Sequence, residues 1–184
     1  QIYIGNPDLK AEYQQSMRLR YMSFSQFNFI SLFGMVRFTH TKNKIVNAVS
    51  IDSLFIQTTT PVNVDNDVNV TGYLNFGAPI KPLKIKINFS PRVSYNDGTL
   101  FINGIENSSK RLTASGDFSI DNRDQDVVEI KLGVDYSYNR TVYSESRTMN
   151  QQFVTGNYYT DMAVNFAKHF RISTSFDYTL YQGE

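Results

Sequence analysis

Val128-Glu129-Ile130-Lys131-Leu132-Gly133-Val134-Asp135-Tyr136-Ser137-Tyr138-Asn139 is the stretch on which the fold turns. Val128, Ile130, Leu132, Val134, Tyr136 and Tyr138 fall on one parity, and Glu129, Lys131, Asp135, Ser137 and Asn139 on the other. Side chains of a strand alternate between its two faces, so period two predicts a strand with one apolar and one polar face. The run is also long. Strands of soluble proteins usually span about 5–6 residues, whereas roughly 10 residues cross a bilayer at a tilt.

Working outward, seven more runs share this pattern, with apolar faces spanning Met17–Tyr21, Ile30–Phe38, Val68–Phe76, Leu83–Tyr95, Leu112–Ile120, Tyr158–Phe166 and Phe170–Leu180. The opposite faces carry charge: Arg18, Arg20, Arg37, Lys84, Lys86, Arg92, Arg111, Asp117, Glu129, Lys131, Asp135, Asp161, Arg171 and Asp177. The run from Ile30 is the exception, with Phe33 and Met35 on its polar side. The connections alternate in length. Short ones fall near residues 24–28, 79–82, 121–126 and 167–169, and long ones near 40–66, 96–109 and 140–153. This predicts an all-β, antiparallel up-and-down meander of about eight long strands, part of a transmembrane β-barrel whose polar face lines a wet lumen and whose apolar face meets outer-membrane lipid. Barrels of this kind sit in the bacterial outer membrane, with short turns on the periplasmic side and long loops outside.

Composition agrees with that division. The chain has 184 residues, 41% hydrophobic and 19% charged, with a net charge of +1 and no Cys. A near-neutral chain gives no reason to expect a nucleic-acid partner, and the lack of Cys excludes disulfides and thiol chemistry. No apolar run approaches the roughly 20 residues of a membrane-spanning helix, a test that a barrel does not face. Phe (14) and Tyr (12) supply all the aromatics. Phe24, Phe27, Phe76, Phe118, Phe166 and Phe170 lie near the short turns, and Tyr95, Tyr136, Tyr138, Tyr158 and Tyr178 towards the long loops, as two interfacial belts would. On the polar face Lys86 is expected near the level of Asp117, with Glu129 and Lys131 beside them, most of these charges partnering one another. Pro91 should mark a bulge or an edge, and Asn96-Asp97-Gly98 reads as a turn signal.

Gly5-Asn6-Pro7-Asp8-Leu9-Lys10-Ala11-Glu12-Tyr13 resembles the Asn-Pro-x-Leu-x-Pro-Glu segment of TonB-dependent outer-membrane receptors, with Ala11 where that family has Pro. Phrases such as Thr39–Val46 and Thr58–Val64 resemble the β-barrel region of Bacteroidetes-type members, and the likeness runs along the whole chain. It implies a parent importer: a barrel of about 22 strands around a plug domain, external loops that capture an iron chelate, a vitamin or a glycan, and a periplasmic energy-coupling protein that pulls on the plug. On this reading residues 1–184 form a single barrel segment without the plug, completed by the remaining strands of the parent chain. Two alternatives stay open: a complete eight-stranded outer-membrane protein serving adhesion or structure, and a soluble β-rich binding module.

No catalytic, cofactor or metal signature is present. His40 and His169 are far apart, and no nucleophile elbow, phosphate loop or Gly-rich fingerprint occurs. No enzymatic role is expected. Ligand contacts are expected on the outer loops, from Thr58, Thr59, Asn63, Asn103, Asn107, Tyr143, Arg147 and Asn150.

Overall fold

The computed structural model describes residues 2–102, 104–122, 127–145, 147–166 and 170–183. It holds nine strands: β1 (Ile2–Tyr3), β2 (Tyr13–Ser25), β3 (Ile30–Ile51), β4 (Gln57–Ile80), β5 (Ile85–Ile102), β6 (Ile105–Asn122), β7 (Val128–Tyr143), β8 (Gln151–Phe166) and β9 (Phe170–Gly183). From β2 to β9 each strand pairs antiparallel with the next, so the expected meander is present. The ninth strand is β1, two residues that no periodicity could announce, pairing parallel with Thr58 and Thr59. Among the described residues β2 pairs only with β3, and β9 only with β8, so the sheet is open.

The distribution of exposure is the reverse of a soluble sandwich. Leu132 (51%) and Tyr136 (54%) of β7 are exposed, while Glu129, Lys131, Asp135, Ser137 and Asn139 on its other face are half-buried. Among the described residues Val64 and Ala163 are the only buried apolar side chains, against five buried polar ones: Thr41, Thr59, Asn107, Ser109 and Ser119. A water-soluble β protein would bury the apolar face.

The strands extend through the long connections: β3 and β4 run to Ile51 and from Gln57, and β5 and β6 run to Ile102 and from Ile105. Two expectations need correction. Asn96-Asp97-Gly98 lies inside β5, and Gly104, just ahead of β6, has φ +76°. A positive φ is open to Gly at no steric cost. Pro91 is neither at an edge nor in a bulge. The β4–β5 ladder lapses between Tyr73↔Arg92 and Phe76↔Phe89 and resumes in the same register, while Pro91 stays paired with Gly116 on β6.

The aromatic side chains reveal a stagger. Phe76, Phe89, Phe118, Tyr158 and Tyr178 lie on one rung of the ladder. Yet Phe76 is four residues from the end of β4 at Ile80, and Tyr158 is eight from the end of β8 at Phe166. The sheet end therefore slides along the strands as the rung is followed, which is the shear that tilted barrel strands require. Phe24 departs from its expected belt position. Its register partner is Ser31, on the parity of Arg18 and Arg37, so it joins Met22, Phe33, Met35 and Tyr73 in an apolar patch on the polar face.

The β3–β4 hairpin turns over on itself. In its lower part β3 lies between β2 and β4, and β4 between β3 and β5. Above a break at Asn43 (φ +54°) the free edge of β3 meets β5 at Ala48↔Phe101, and the free edge of β4 meets β1. The register is kept across the break, with Lys42↔Asn66 below it and Lys44↔Val64 above.

Candidate functional site

Two regions gather the polar side chains: the polar face of the sheet, and the outer part of the β3–β4 hairpin with the segment before β2.

On the polar face, pairing sorts the charges by rung. Lys86, Asp121, Lys131 and Asp161 occupy one rung on β5, β6, β7 and β8, with alternating sign. Lys86 is thus level with Asp121 and not with Asp117, which pairs with Ser90 and Asp135. The four-residue difference arises because the β5–β6 register was not readable from run lengths. Asp121 was missed as a site residue, and it accepts from the Asn88 amide at 2.8 Å. Lower down, the Arg171 guanidinium donates to both oxygens of Glu129 at 2.8 and 2.7 Å. Ala163, buried between them on β8, leaves room for the reach across a strand.

Tyr159 was also missed, although its parity matches Asp161. Its hydroxyl donates to Asp117 at 2.6 Å, and its ring lies under the Lys131 ammonium at 5.0 Å to the centroid. The register partner of Tyr159 is Gly133, whose lack of a Cβ opens the slot that the ring fills. Asp177 accepts from Asn157 at 3.4 Å. Lys84 is not a strand residue. It follows the 3-10 turn Lys81–Leu83 in a left-handed conformation (φ +52°). Arg111 lies on β6 opposite Asn96 and Thr141. Arg18, Arg20, Arg37 and Arg92 share the polar parity on β2, β3 and β5.

Near the hairpin, the segment Gly5–Glu12 is strapped down by side chains. The Asn63 amide donates to the carbonyls of Lys10 (2.9 Å) and Asn43 (2.7 Å), and its carbonyl accepts from the Lys10 N–H (2.7 Å). Asn6 donates to the Pro61 carbonyl at 3.0 Å, and Glu12 accepts from the Ile45 N–H at 2.6 Å. Asn6 and Glu12, the polar ends of the Asn-Pro segment, thus have a structural task above the hairpin break, Asn6 on β4 and Glu12 on β3.

The expected loop ligands fall mostly in strands. Thr58, Thr59 and Asn63 belong to β4, Asn107 to β6 and Tyr143 to the end of β7. Thr59 and Asn107 are buried. Asn107 accepts from the Ser144 hydroxyl (3.3 Å) and the Glu145 N–H (3.2 Å), and Asn150 accepts from the Tyr143 N–H (2.8 Å). These amides close the β6–β7–β8 outer end upon itself, because strand extension left their backbone neighbours within reach. Arg147 begins a 3-10 turn. Asn103 and His169 lie outside the described residues.

An exposed apolar face, a covered polar face, long staggered strands and short turns at one end define an outer-membrane β-barrel protein. The chain belongs to the family described as an outer membrane protein beta-barrel family, whose sequence profile matches residues 1–183. It is accordingly a protein of the bacterial outer membrane. No curated protein and no solved structure matches it.

Proposed function

We propose that this chain forms part of the wall of a TonB-dependent receptor of the Bacteroidetes type, importing a scarce ligand such as an iron chelate, a vitamin or a glycan. The observation that carries the reading is the open sheet. Among the described residues β2 and β9 do not pair, although eight strands would suffice to close a small barrel. Wall strands of a larger barrel would leave both edges for further pairing, since unpaired edges otherwise invite aggregation. The strapped Asn-Pro segment adds support: it enters β2 from the end that carries the long hairpins, as the corresponding segment does in those receptors.

In this role the charged polar face lines the lumen and contacts a plug, the apolar face contacts lipid, and a periplasmic energy-coupling protein acts through the plug. The role is transport, with no reaction assigned to the wall. Uptake by cells expressing the full chain tests it. Labelled ferric chelate, cobalamin and oligosaccharide are offered with and without a protonophore. Accumulation of one of them that stops when the proton gradient collapses is the expected result. Accumulation that continues unchanged would mark a passive pore and overturn the reading.

A further inference from the structure

The polar face is not evenly compensated. Arg18, on β2, faces Arg37, on β3, and the rung continues through Thr71, Ser94, Thr113, Asn139 and Phe153. The next rung carries Arg20 and Arg92 with Met35, Tyr73, Ser115, Ser137 and Thr155. Two successive rungs thus hold four guanidiniums and no carboxylate. Residues directly opposite in an antiparallel pair have Cβ atoms about 4.5–5.5 Å apart, and like charges there repel. The next rung beyond Arg20 and Arg92 carries Asp117 and Asp135, and Asp117 is engaged by Tyr159.

Arg37 carries the second observation. Its Nε is buried and has no hydrogen-bond partner. A buried donor on a charged group is costly unless something accepts from it. Arg37 lines a polar cavity of about 510 Å³ with Thr39, Thr71, Asn69 and Asn96. The carboxylate in that cavity, Asp67, is held by Lys44 (3.7 Å) and Asn96 (3.4 Å). Elsewhere on this face cations meet carboxylates: the Lys86–Asp161 rung alternates in sign and Arg171 is doubly bonded to Glu129.

We propose that the arginine band, centred on Arg37, is an oxyanion site that takes a carboxylate or phosphate group. Guanidinium forks match such groups with paired, charge-assisted bonds. The oxyanion comes either from a solute in the lumen or from an acidic side chain of a polypeptide lying against the wall. The proposal rests on the polar face being the lumen wall, as read above.

The test uses the full chain purified in detergent. A Cys placed at Ser115, on the Arg92 rung, checks the lumen reading by itself. Labelling by a water-soluble thiol reagent after reconstitution is expected, and no labelling overturns both readings. Inorganic phosphate is then titrated against the wild type, Arg37→Gln, Arg37→Lys and the control Lys131→Gln. Binding that weakens about tenfold or more in both Arg37 variants, as loss of a charge-assisted fork implies, and persists in Lys131→Gln assigns a solute oxyanion. Where phosphate does not bind, a photo-crosslinker at position 71, the register partner of Arg37 in the same cavity, that captures a peptide containing Asp or Glu with Arg37 present and loses it in Arg37→Gln assigns the polypeptide source. Phosphate binding that is insensitive to Arg37, or absent binding with no acidic peptide captured, overturns the site.

Discussion

A Cβ placed on Gly133 would fall within the Tyr159 ring. Gly133→Val should therefore lift the ring, break the Tyr159–Asp117 bond and cost about 1–3 kcal/mol through overpacking. Tyr159→Ser in the same chain should recover most of the packing term, and a double-mutant cycle on the thermal unfolding midpoint reads the coupling. Lack of coupling would mean that the ring does not occupy that slot. Asn63 presents the same logic in polar form. One amide serves the backbone of two other segments, so Asn63→Ala releases three bonds at once. A loss of about 1–2 kcal/mol is expected, since the partners are partly exposed and water replaces some of what is lost. Faster proteolysis between residues 5 and 12 is the accompanying readout, and an unchanged cleavage rate would remove the strap from the account.

At the scale of the strand, the two faces of β7 make opposite predictions for the same kind of change. Leu132 projects from the apolar, exposed face. Leu132→Arg should cost about 2–4 kcal/mol near the bilayer midplane, read as a fall in folded protein by heat-modified electrophoresis. Ser137→Arg, on the polar face of the same strand, should assemble nearly normally, because a wet face solvates the charge. Equal assembly of the two variants would contradict the assignment of faces. The β3–β4 hairpin makes a further point at this scale. Its overturn at Asn43 and its parallel contacts with β1 and β5 require strands far longer than a bilayer needs, and β3 at 22 residues and β4 at 24 supply the length.

The whole molecule has a sidedness that its lack of Cys makes easy to read. Ser53 lies at the tip of the β3–β4 hairpin and Asn28 in the turn between β2 and β3, both exposed. With long hairpins outside, Ser53→Cys should react with a membrane-impermeant maleimide in intact cells, and Asn28→Cys only after the outer membrane is opened. The reverse pattern would invert the topology. How far such an arrangement could be read from residues alone depends on the range of the forces involved. Alternation is local, so Val128–Asn139 and its seven counterparts by themselves determined strands, faces, order and the membrane class. The Asn-Pro segment was visible as a motif, but its bonds to Asn43, Ile45, Pro61 and Asn63 were not, since they join residues about thirty to fifty-five positions apart. Register is likewise non-local: a shift of four residues moves Lys86 from Asp117 to Asp121 without disturbing either face, because any even shift preserves parity. Only the tertiary structure decided which charges meet. It set Lys131 against Asp121 and Asp161, brought Arg18 opposite Arg37, and left the arginine band without a carboxylate, because rung partners are chosen by the turns and stagger of the whole sheet.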